Sequence, residues 1–465
     1  MKNYFLYSFI LLTAYSQRTF AQTPQWHYLG DTILSEGGIA GVTLALDGAT
    51  PYIAYYAYFN DHSRLVVKRF DGTTWVSLDT AGLGPLAYHQ ISISSNGIPQ
   101  LAYLDQDNLR FVLKRFEGNQ WVTVSESPQF SEQPNSVSIA FDDETLYVAF
   151  SDQFFDNQVK VWQHNANGWS VVGQPNISSV WVYPLILKVS DGFPWLAYLE
   201  SDTSIACIVK KFDGTDWQTV GGQVFTTTFG NFFVGATIDF TIANGIPYIA
   251  YTDWTTGWRL SALKFDGAAW VTVGQPMFTE PTYSGMKIAV DANSQKPYVL
   301  FDDSPPDTLG GGMSVMLFDG TNWVYVGQPY FASQSLWDAN FAIHEGIPFV
   351  AYINGEFDFG ASVQEYSPLS PVVEPKTVDI SFTIQPNPIS DGILKIQIQR
   401  AKESNMIAQI TDMEGGVLFE KEISIRESKS EHPLLIGQLP QGVYTLQLRS
   451  KESGAFSAKQ FVVVR

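Results

Sequence analysis

A tryptophan returns along this chain at a nearly constant interval. Trp26, Trp75, Trp121, Trp169, Trp217, Trp270 and Trp323 are separated by 49, 46, 48, 48, 53 and 53 residues. A period of that length means one supersecondary unit repeated along the chain, because no single unit of this size can bury its own apolar surface. Five of the tryptophans end the same hairpin pattern, Phe-Asp/Glu-Gly-x-x-Trp, at 70–75, 116–121, 212–217, 265–270 and 318–323. Gly after an acidic residue suits a tight turn between alternating strands, since Gly takes positive φ without steric cost. The third copy, His164 to Trp169, keeps the spacing and moves its glycine to Gly168.

Upstream of each hairpin lies a second shared segment, Pro-x-aliphatic-x-aromatic, as in Pro51-Tyr-Ile-Ala-Tyr55, Pro247-Tyr-Ile-Ala-Tyr251 and Pro348-Phe-Val-Ala-Tyr352. Leu146-Tyr-Val-Ala-Phe150 is the same strand without Pro, and a short alternating run such as Ile288-Ala-Val290 precedes each copy. The repeat therefore reads as four strands, a to d, with Pro near the start of strand b, where it interrupts no ladder, and Trp opening strand d. A four-stranded sheet with two apolar faces is covered by stacking such sheets around an axis, the β-propeller solution. The seventh copy supplies strands a to c, ending at Tyr366, while Trp26-His-Tyr-Leu-Gly30 is an orphan strand d matching Trp270-Val-Thr-Val-Gly274. The N-terminal strand is expected to complete the seventh blade. From Trp26 to Tyr366 is 341 residues, about 49 per blade.

Composition agrees with an all-β chain. Charged residues are 16%, aromatics 14%, Gly and Pro total 61, and no long stretch has a helical period. The net charge of −19 is uneven: Lys2 and Arg18 make the first 21 residues +2, and residues 379–465 balance ten basic against ten acidic side chains, so residues 22–378 carry −21. Such a surface repels nucleic acid and anionic membranes and suits calcium or a neutral, hydroxyl-rich ligand, with solubility as the plain alternative. Residues 1–21 read as a signal peptide, with Lys2 before a Tyr4–Tyr15 apolar run too short to span a bilayer and Thr19-Phe20-Ala21 at the cleavage site. The single Cys207 excludes an internal disulfide and reads as a buried thiol.

Residues 367–378 are a Pro-rich linker containing Pro368, Pro371 and Pro375, and short strands follow at 394–398, 408–411, 417–423, 444–449 and 460–464. They suit a small Ig-like β-sandwich. Their punctuation runs Gln385-Pro386-Asn387-Pro388, Leu394-Lys-Ile396, Ile410-Thr-Asp412-Met-Glu-Gly415, Leu439-Pro-Gln-Gly442-Val-Tyr444 and Lys459-Gln-Phe-Val-Val-Val464. In order, spacing and position this tail, 379–465, resembles the type IX secretion sorting domains of Bacteroidetes. It departs from the family in carrying Gln385 where an aromatic often precedes Pro-Asn-Pro. The resemblance implies export through the periplasm, engagement of the type IX machinery, and a secreted or surface-attached product.

Within the region 22–366 the b–c and d–a loops share one face. The residue two past the strand-b aromatic falls there, and five of the seven are acidic: Asp105, Asp152, Glu200, Asp253 and Asp303, with Ala57 and Asn354 completing the set. Carboxylates accept hydrogen bonds from hydroxyls and coordinate hard cations. Calcium is thus a candidate cofactor, though none is required. Arg110 and Arg259, expected opposite Asp105 and Asp253, give the ring an equally direct scaffold role. The same loops carry Phe154, Phe155, Trp254, Trp258, Phe357 and Phe359, and the d–a loops add Phe225, Phe229, Tyr283, Tyr330 and Phe331. Aromatic rings beside carboxylates suit sugar recognition, and rings at a repeat junction equally suit packing. Two readings follow: a non-catalytic binding module for an extracellular glycan or protein, or a carbohydrate-active hydrolase or lyase. No nucleophile motif or metal-spaced histidine pair favours the second, so the first is the expectation.

Overall fold

The computed structural model describes residues 24–464, except 36–37, 59–62, 79–85, 135, 152–157, 179–181, 202–203, 228–235, 254, 256, 283–284, 304–311, 333–337, 356–358, 368–380, 391, 401–403, 412–416, 426–429, 438 and 451–455. Residues 1–21, expected from sequence to be a signal peptide, therefore lie outside the described residues. Two compact units divide the chain, one covering Thr23–Pro368 and the other taking in Leu369–Arg465. Both are built of β-strands, and no α-helix occurs among the described residues.

In the first unit the described residues form seven four-stranded antiparallel sheets, a propeller-like repetition. Sheet one runs Ile39–Asp47, Thr50–Tyr58, Ser63–Phe70 and Trp75–Leu78. Sheets two to six repeat it over 86–126, 136–171, 182–227, 236–272 and 286–325. Sheet seven joins Ala339–His344, Ile347–Asn354 and Gly360–Ser367 to the N-terminal strand Gln25–Tyr28, with Trp26 opposite Tyr366. Strand b is buried almost throughout, as in Pro297–Asp303. Strand d is mostly exposed, as in Gln120–Glu126. This is why the Pro-x-aliphatic-x-aromatic segment is nearly continuous in apolar residues and the Trp strand is not.

Each sheet shares a buried cluster with its neighbour. Tyr52 and Leu65 of sheet one meet Ile91 and Leu101 of sheet two, and Phe111 of sheet two meets Val148 and Phe150 of sheet three. Val161 joins Leu187 between sheets three and four, and Cys207 joins Phe240 between four and five. A larger cluster links sheets five, six and seven through Tyr248, Val315 and Val350. Phe349 and Val363 of sheet seven then pack with Leu44 and Ile53 of sheet one. Each large side chain buried in this way contributes about 1.5–3 kcal/mol. Cys207 has no accessible surface, and burial pushes its thiol pKa up.

The repeated hairpin has a different turn from the tight Asp-Gly turn expected. Asp71 Oδ1 accepts the backbone N–H groups of Thr73 and Thr74 at 2.9 and 2.8 Å, and Gly72 has φ +100°. Asp213, Asp266 and Asp319 do the same. The conserved element of the pattern is thus an acceptor that holds two turn amides. The copy with Glu117 in place of Asp turns on Gly118 and Asn119, both left-handed.

The second unit consists of a three-stranded sheet (Ser381–Gln385, Ile393–Arg400, Ser430–Leu435) and a four-stranded sheet (Val417–Ile425, Ser404–Thr411, Gly442–Ser450, Phe456–Val463). They share one core, including Phe382 and Ile396 from the first and Ile410, Leu446 and Phe461 from the second. The strands at 381–385 and 430–435 add to those expected from sequence; Ser430–Leu435 lacks the alternation that would announce it.

Candidate functional site

Strand direction puts the b–c and d–a loops at one end of every sheet in the first unit and the a–b and c–d turns at the other. Of the candidate acidic residues, Asp105, Glu200, Asp253 and Asp303 fall at the b–c end. Asp105 ends strand b of sheet two, where its Oδ1 accepts the N–H groups of Asp107 and Asn108 at 3.0 and 3.1 Å and its Oδ2 accepts Asn108 Nδ2–H at 2.9 Å. It caps its own loop. Asp303 is 6% exposed, and its Oδ2 accepts hydrogen bonds from Ser314 Oγ at 2.9 Å and from the Tyr325 hydroxyl at 3.0 Å. Burial and the Asp303 charge push the Tyr325 phenol pKa up. Ser314 Oγ also accepts Tyr330 N–H at 2.9 Å, so Asp303 holds three segments of sheet six together.

Glu200 is half-buried, and burial raises its carboxyl pKa against the pull of Lys210. Asp253 pairs through its backbone with Ala236 at the end of strand b, and its side chain lies outside the described residues, as do Asp152 and Trp254. Trp258 is half-buried with φ +63°, and its carbonyl accepts Thr282 N–H at 2.8 Å. Asp105 and Arg110 stand opposite each other in the ladder, but Arg110 forms its ion pair with Glu126 at 2.8 Å. Arg259 pairs with Glu280 at 3.2 Å. Both arginines thus bind the following strand or d–a segment of their own sheet. Among the described residues no group of three or more His, Cys, Asp or Glu is placed to hold a metal ion.

The aromatics divide into two sets. Phe331 stacks on Trp26 at 4.0 Å and Phe225 on Tyr251 at 4.3 Å, so these rings are packing elements. Tyr58, Tyr183, Tyr330 and Phe359 are instead 52%, 61%, 47% and 63% exposed, and all four lie at the b–c/d–a end. Among the described residues no large apolar side chain is that exposed in the a–b or c–d turns. Sequence reading missed Tyr58 and Tyr183. The run Tyr55-Tyr56-Ala57-Tyr58 at a strand end was an available sign of the first, whereas nothing in the strand-a pattern marks the second. Phe154, Phe155, Phe229, Tyr283 and Phe357 lie outside the described residues.

In the tail, several of the residues expected to form the sorting motif make contacts between its segments. Asn387 Oδ1 accepts Val462 N–H at 3.0 Å, and between Pro388 and the last strand Ile389 N–H donates to Val462 O at 2.7 Å. Pro386 and Pro388 flank that contact. The Tyr444 hydroxyl donates to Pro440 O at 2.8 Å, its ring lies 5.7 Å from Phe461, and it leaves room at Gly442 only for a small residue. Lys459 Nζ sits 5.9 Å from the Phe382 ring centre. Asp412 and Gly415 lie outside the described residues.

Many solved structures are similar to the chain, among them the following three. PorZ, described as an essential bacterial surface component of the type-IX secretion system of Porphyromonas gingivalis, is 15% identical with TM-score 0.44, over 94% of this chain and 60% of that one. The SapL1 lectin, in complex with alpha methyl fucoside, is 16% identical with TM-score 0.40, over 64% of this chain and 97% of that one. Puromycin hydrolase is 13% identical with TM-score 0.46, over 78% of this chain and 59% of that one. The chain thus spans about three fifths of the first and third, and similarity this distant carries no functional argument. No curated protein sequence matches. No helix among the described residues is long and apolar enough to cross a membrane. Residues 383–464 match the family described as secretion system C-terminal sorting domain, the tail of type IX secretion, which directs the chain to the cell surface or the extracellular space.

Proposed function

We propose that residues 22–366 are a seven-bladed β-propeller closed by the N-terminal strand, serving as a non-catalytic binding module for an extracellular glycan or protein, and that the tail is an Ig-like sandwich that exports it. The buried clusters joining each sheet to the next, and sheet seven to sheet one, support the ring. The observation that carries the binding reading is the one-sided exposure of Tyr58, Tyr183, Tyr330 and Phe359. Exposed rings gathered on one end of a scaffold mark a contact surface, and a flat ring face suits the C–H face of a sugar or an apolar protein side chain.

Of the acidic set, Glu200 with Asp152, Asp253, Trp254 and Trp258 would contribute to this face, while Asp105 and Asp303 act by fixing its loops. Screening the purified chain on a glycan array, with a parallel hydrolysis assay on the same glycans, tests the reading. Binding without turnover is expected. Turnover of a bound glycan would replace the module by a hydrolase or lyase.

A further inference from the structure

A pocket opens where the N-terminal strand meets sheet six. Its volume is about 450 Å³, within the range of small-molecule sites, roughly 300–1,000 Å³. One wall is Pro24, Gln25 and Trp26, and the other is the segment 327–331 that follows strand d of sheet six. Both walls are fixed before any ligand arrives. Trp26 is held by its bond to Val326 O and by the stack that takes up the Phe331 ring. Phe331 N–H donates to Met313 O at 3.0 Å and Tyr330 N–H to Ser314 Oγ at 2.9 Å, so two backbone bonds tie the opposite wall to strand c. Pro24 and Pro329 stiffen the chain on either side. A preformed site of this kind gives up little freedom on binding.

The chemistry of the lining narrows what fits. None of its side chains is charged near neutral pH, although residues 22–378 carry −21. It offers instead the exposed ring of Tyr330 and the exposed amides of Gln25 and Gln328. Among the described residues neither amide side chain has a hydrogen-bond partner. An amide both donates and accepts, as the hydroxyls of a sugar do, and a ring face suits the C–H face of a pyranose. A charged ligand would give up its water here and find no counter-charge. An apolar peptide would cover both amides without pairing them. The matching turn of sheet five, Gly274-Gln275-Pro276-Met277, is built alike, with Met277 N–H on Ser261 Oγ, but carries Met277 in place of the Tyr330 ring.

We propose that this pocket binds one neutral sugar residue, its hydroxyls paired with the Gln25 and Gln328 amides and its C–H face on the Tyr330 ring. The inference rests on the glycan reading of the exposed aromatic face and narrows it to one boundary between sheets.

The test is calorimetric titration of the full-length chain with the methyl pyranosides of glucose, galactose and mannose and, separately, with glucuronate. Saturable binding of at least one neutral glycoside is expected, and none of glucuronate. Gln25→Ala and Gln328→Ala should each weaken that binding about three- to tenfold, the loss of one hydrogen bond. Both side chains are exposed, so the urea midpoint should stay where it is. Gln275→Ala, outside the pocket, should leave affinity unchanged. Failure of all three neutral glycosides to bind at millimolar concentration overturns the proposal, as does tighter binding of glucuronate. Unchanged affinity in both pocket variants, or an equal loss in Gln275→Ala, overturns it too. A glycan captured on the array whose affinity ignores Gln25→Ala and Gln328→Ala removes this site alone and leaves the aromatic face standing. An array without any glycan ligand removes both.

Discussion

The indole nitrogen of Trp26 donates a 2.9 Å hydrogen bond to the carbonyl of Val326, although 300 residues separate the two. The same bond recurs around the first unit: Trp217 donates to Val172 O, Trp270 to Val220 O and Trp323 to Val273 O, at 2.9–3.0 Å. Trp75 donates to Leu29 O at 2.6 Å. The N-terminal strand therefore gives and receives as any other strand d does. Each acceptor is followed by a left-handed glycine, Gly30, Gly173, Gly221, Gly274 or Gly327, against which the next tryptophan sits. Where Ser125 stands in the glycine position, Trp169 donates to Ser125 Oγ instead. The buried indole nitrogen of Trp121 has no such partner among the described residues; the other six tryptophans of the period each bond one sheet to the next.

Trp26→Ala should destabilise the first unit by about 2–3 kcal/mol, below the roughly 3–5 kcal/mol of a fully buried tryptophan because the ring is half-buried. It removes the bond to Val326 and the stack on Phe331. Urea unfolding measures the loss, and an unchanged midpoint would contradict a closing role for the N-terminal strand.

Gly221 and Gly222 make a paired test of the glycine seat. Both are left-handed, with φ +69° and +76°. A Cβ on Gly221 would lie 2.6 Å from the Phe265 ring and 2.9 Å from Trp270, whereas one on Gly222 meets nothing within 4 Å. Gly222→Ala should cost about 1–2 kcal/mol from backbone strain alone. Gly221→Ala should cost distinctly more, and equal losses in the two variants would show that the ring contact is unimportant.

The repeat and its strand order were readable because Trp, Pro and the hairpin motif stand at fixed chemical positions. The seat glycines were visible as letters, but their purpose depends on a neighbouring sheet, which spacing along the chain does not reveal. The loop face was less legible for a similar reason. Asp105 and Asp303 look alike in a repeat alignment, yet one caps its own loop and the other bonds Ser314 and Tyr325. Phe331 and Tyr330 are adjacent in sequence, but one is stacked on Trp26 and the other exposed. Alternation along a loop is set by local backbone turns, here the positive φ of Tyr330.

Acid should weaken the hairpins. Backbone hydrogen bonds from Thr74 and Thr73 lower the Asp71 pKa from 3.8 to about 2, and equivalent bonds lower those of Asp213, Asp266 and Asp319. A depressed folded-state pKa contributes stability that is present above the unfolded value and lost as pH falls through the folded one. For Asp71 that window runs from about pH 4 down to about pH 2. Exposure screens each contribution, so the effect per turn is small. Asp71→Asn keeps an acceptor for both amides and should flatten part of the pH dependence of the urea midpoint in that window. An identical profile would assign acid sensitivity to other groups.

Removal of residues 381–465 should abolish export while leaving the first unit folded, since the tail has its own core and carries the sorting-family match. In a host with type IX secretion, the truncated protein is expected in the periplasm. Its efficient appearance outside the cell would show that the signal lies elsewhere.

The aromatic face gives the sharpest test of function. Tyr330 and Phe359 are 47% and 63% exposed, and both occupy left-handed backbone, at φ +59° and +58°. Their main chains are used: Tyr330 N–H donates to Ser314 Oγ, and the Phe359 carbonyl accepts Ile39 N–H. Substitution by alanine keeps those backbone bonds and removes only the rings. If the rings are a platform, Tyr330→Ala and Phe359→Ala should each change stability by no more than about 0.5 kcal/mol, as at an ordinary surface site. Affinity for a ligand found on the array should fall roughly tenfold or more per ring that contacts it, by analogy with the ~1–3 kcal/mol of base–aromatic stacking. Phe331→Ala serves as the contrast, because its ring is stacked on Trp26. It should lower the urea midpoint and leave affinity nearly unchanged in the folded fraction. If the first two variants lose stability and bind as before, the exposed rings belong to the scaffold and the binding face must be sought elsewhere.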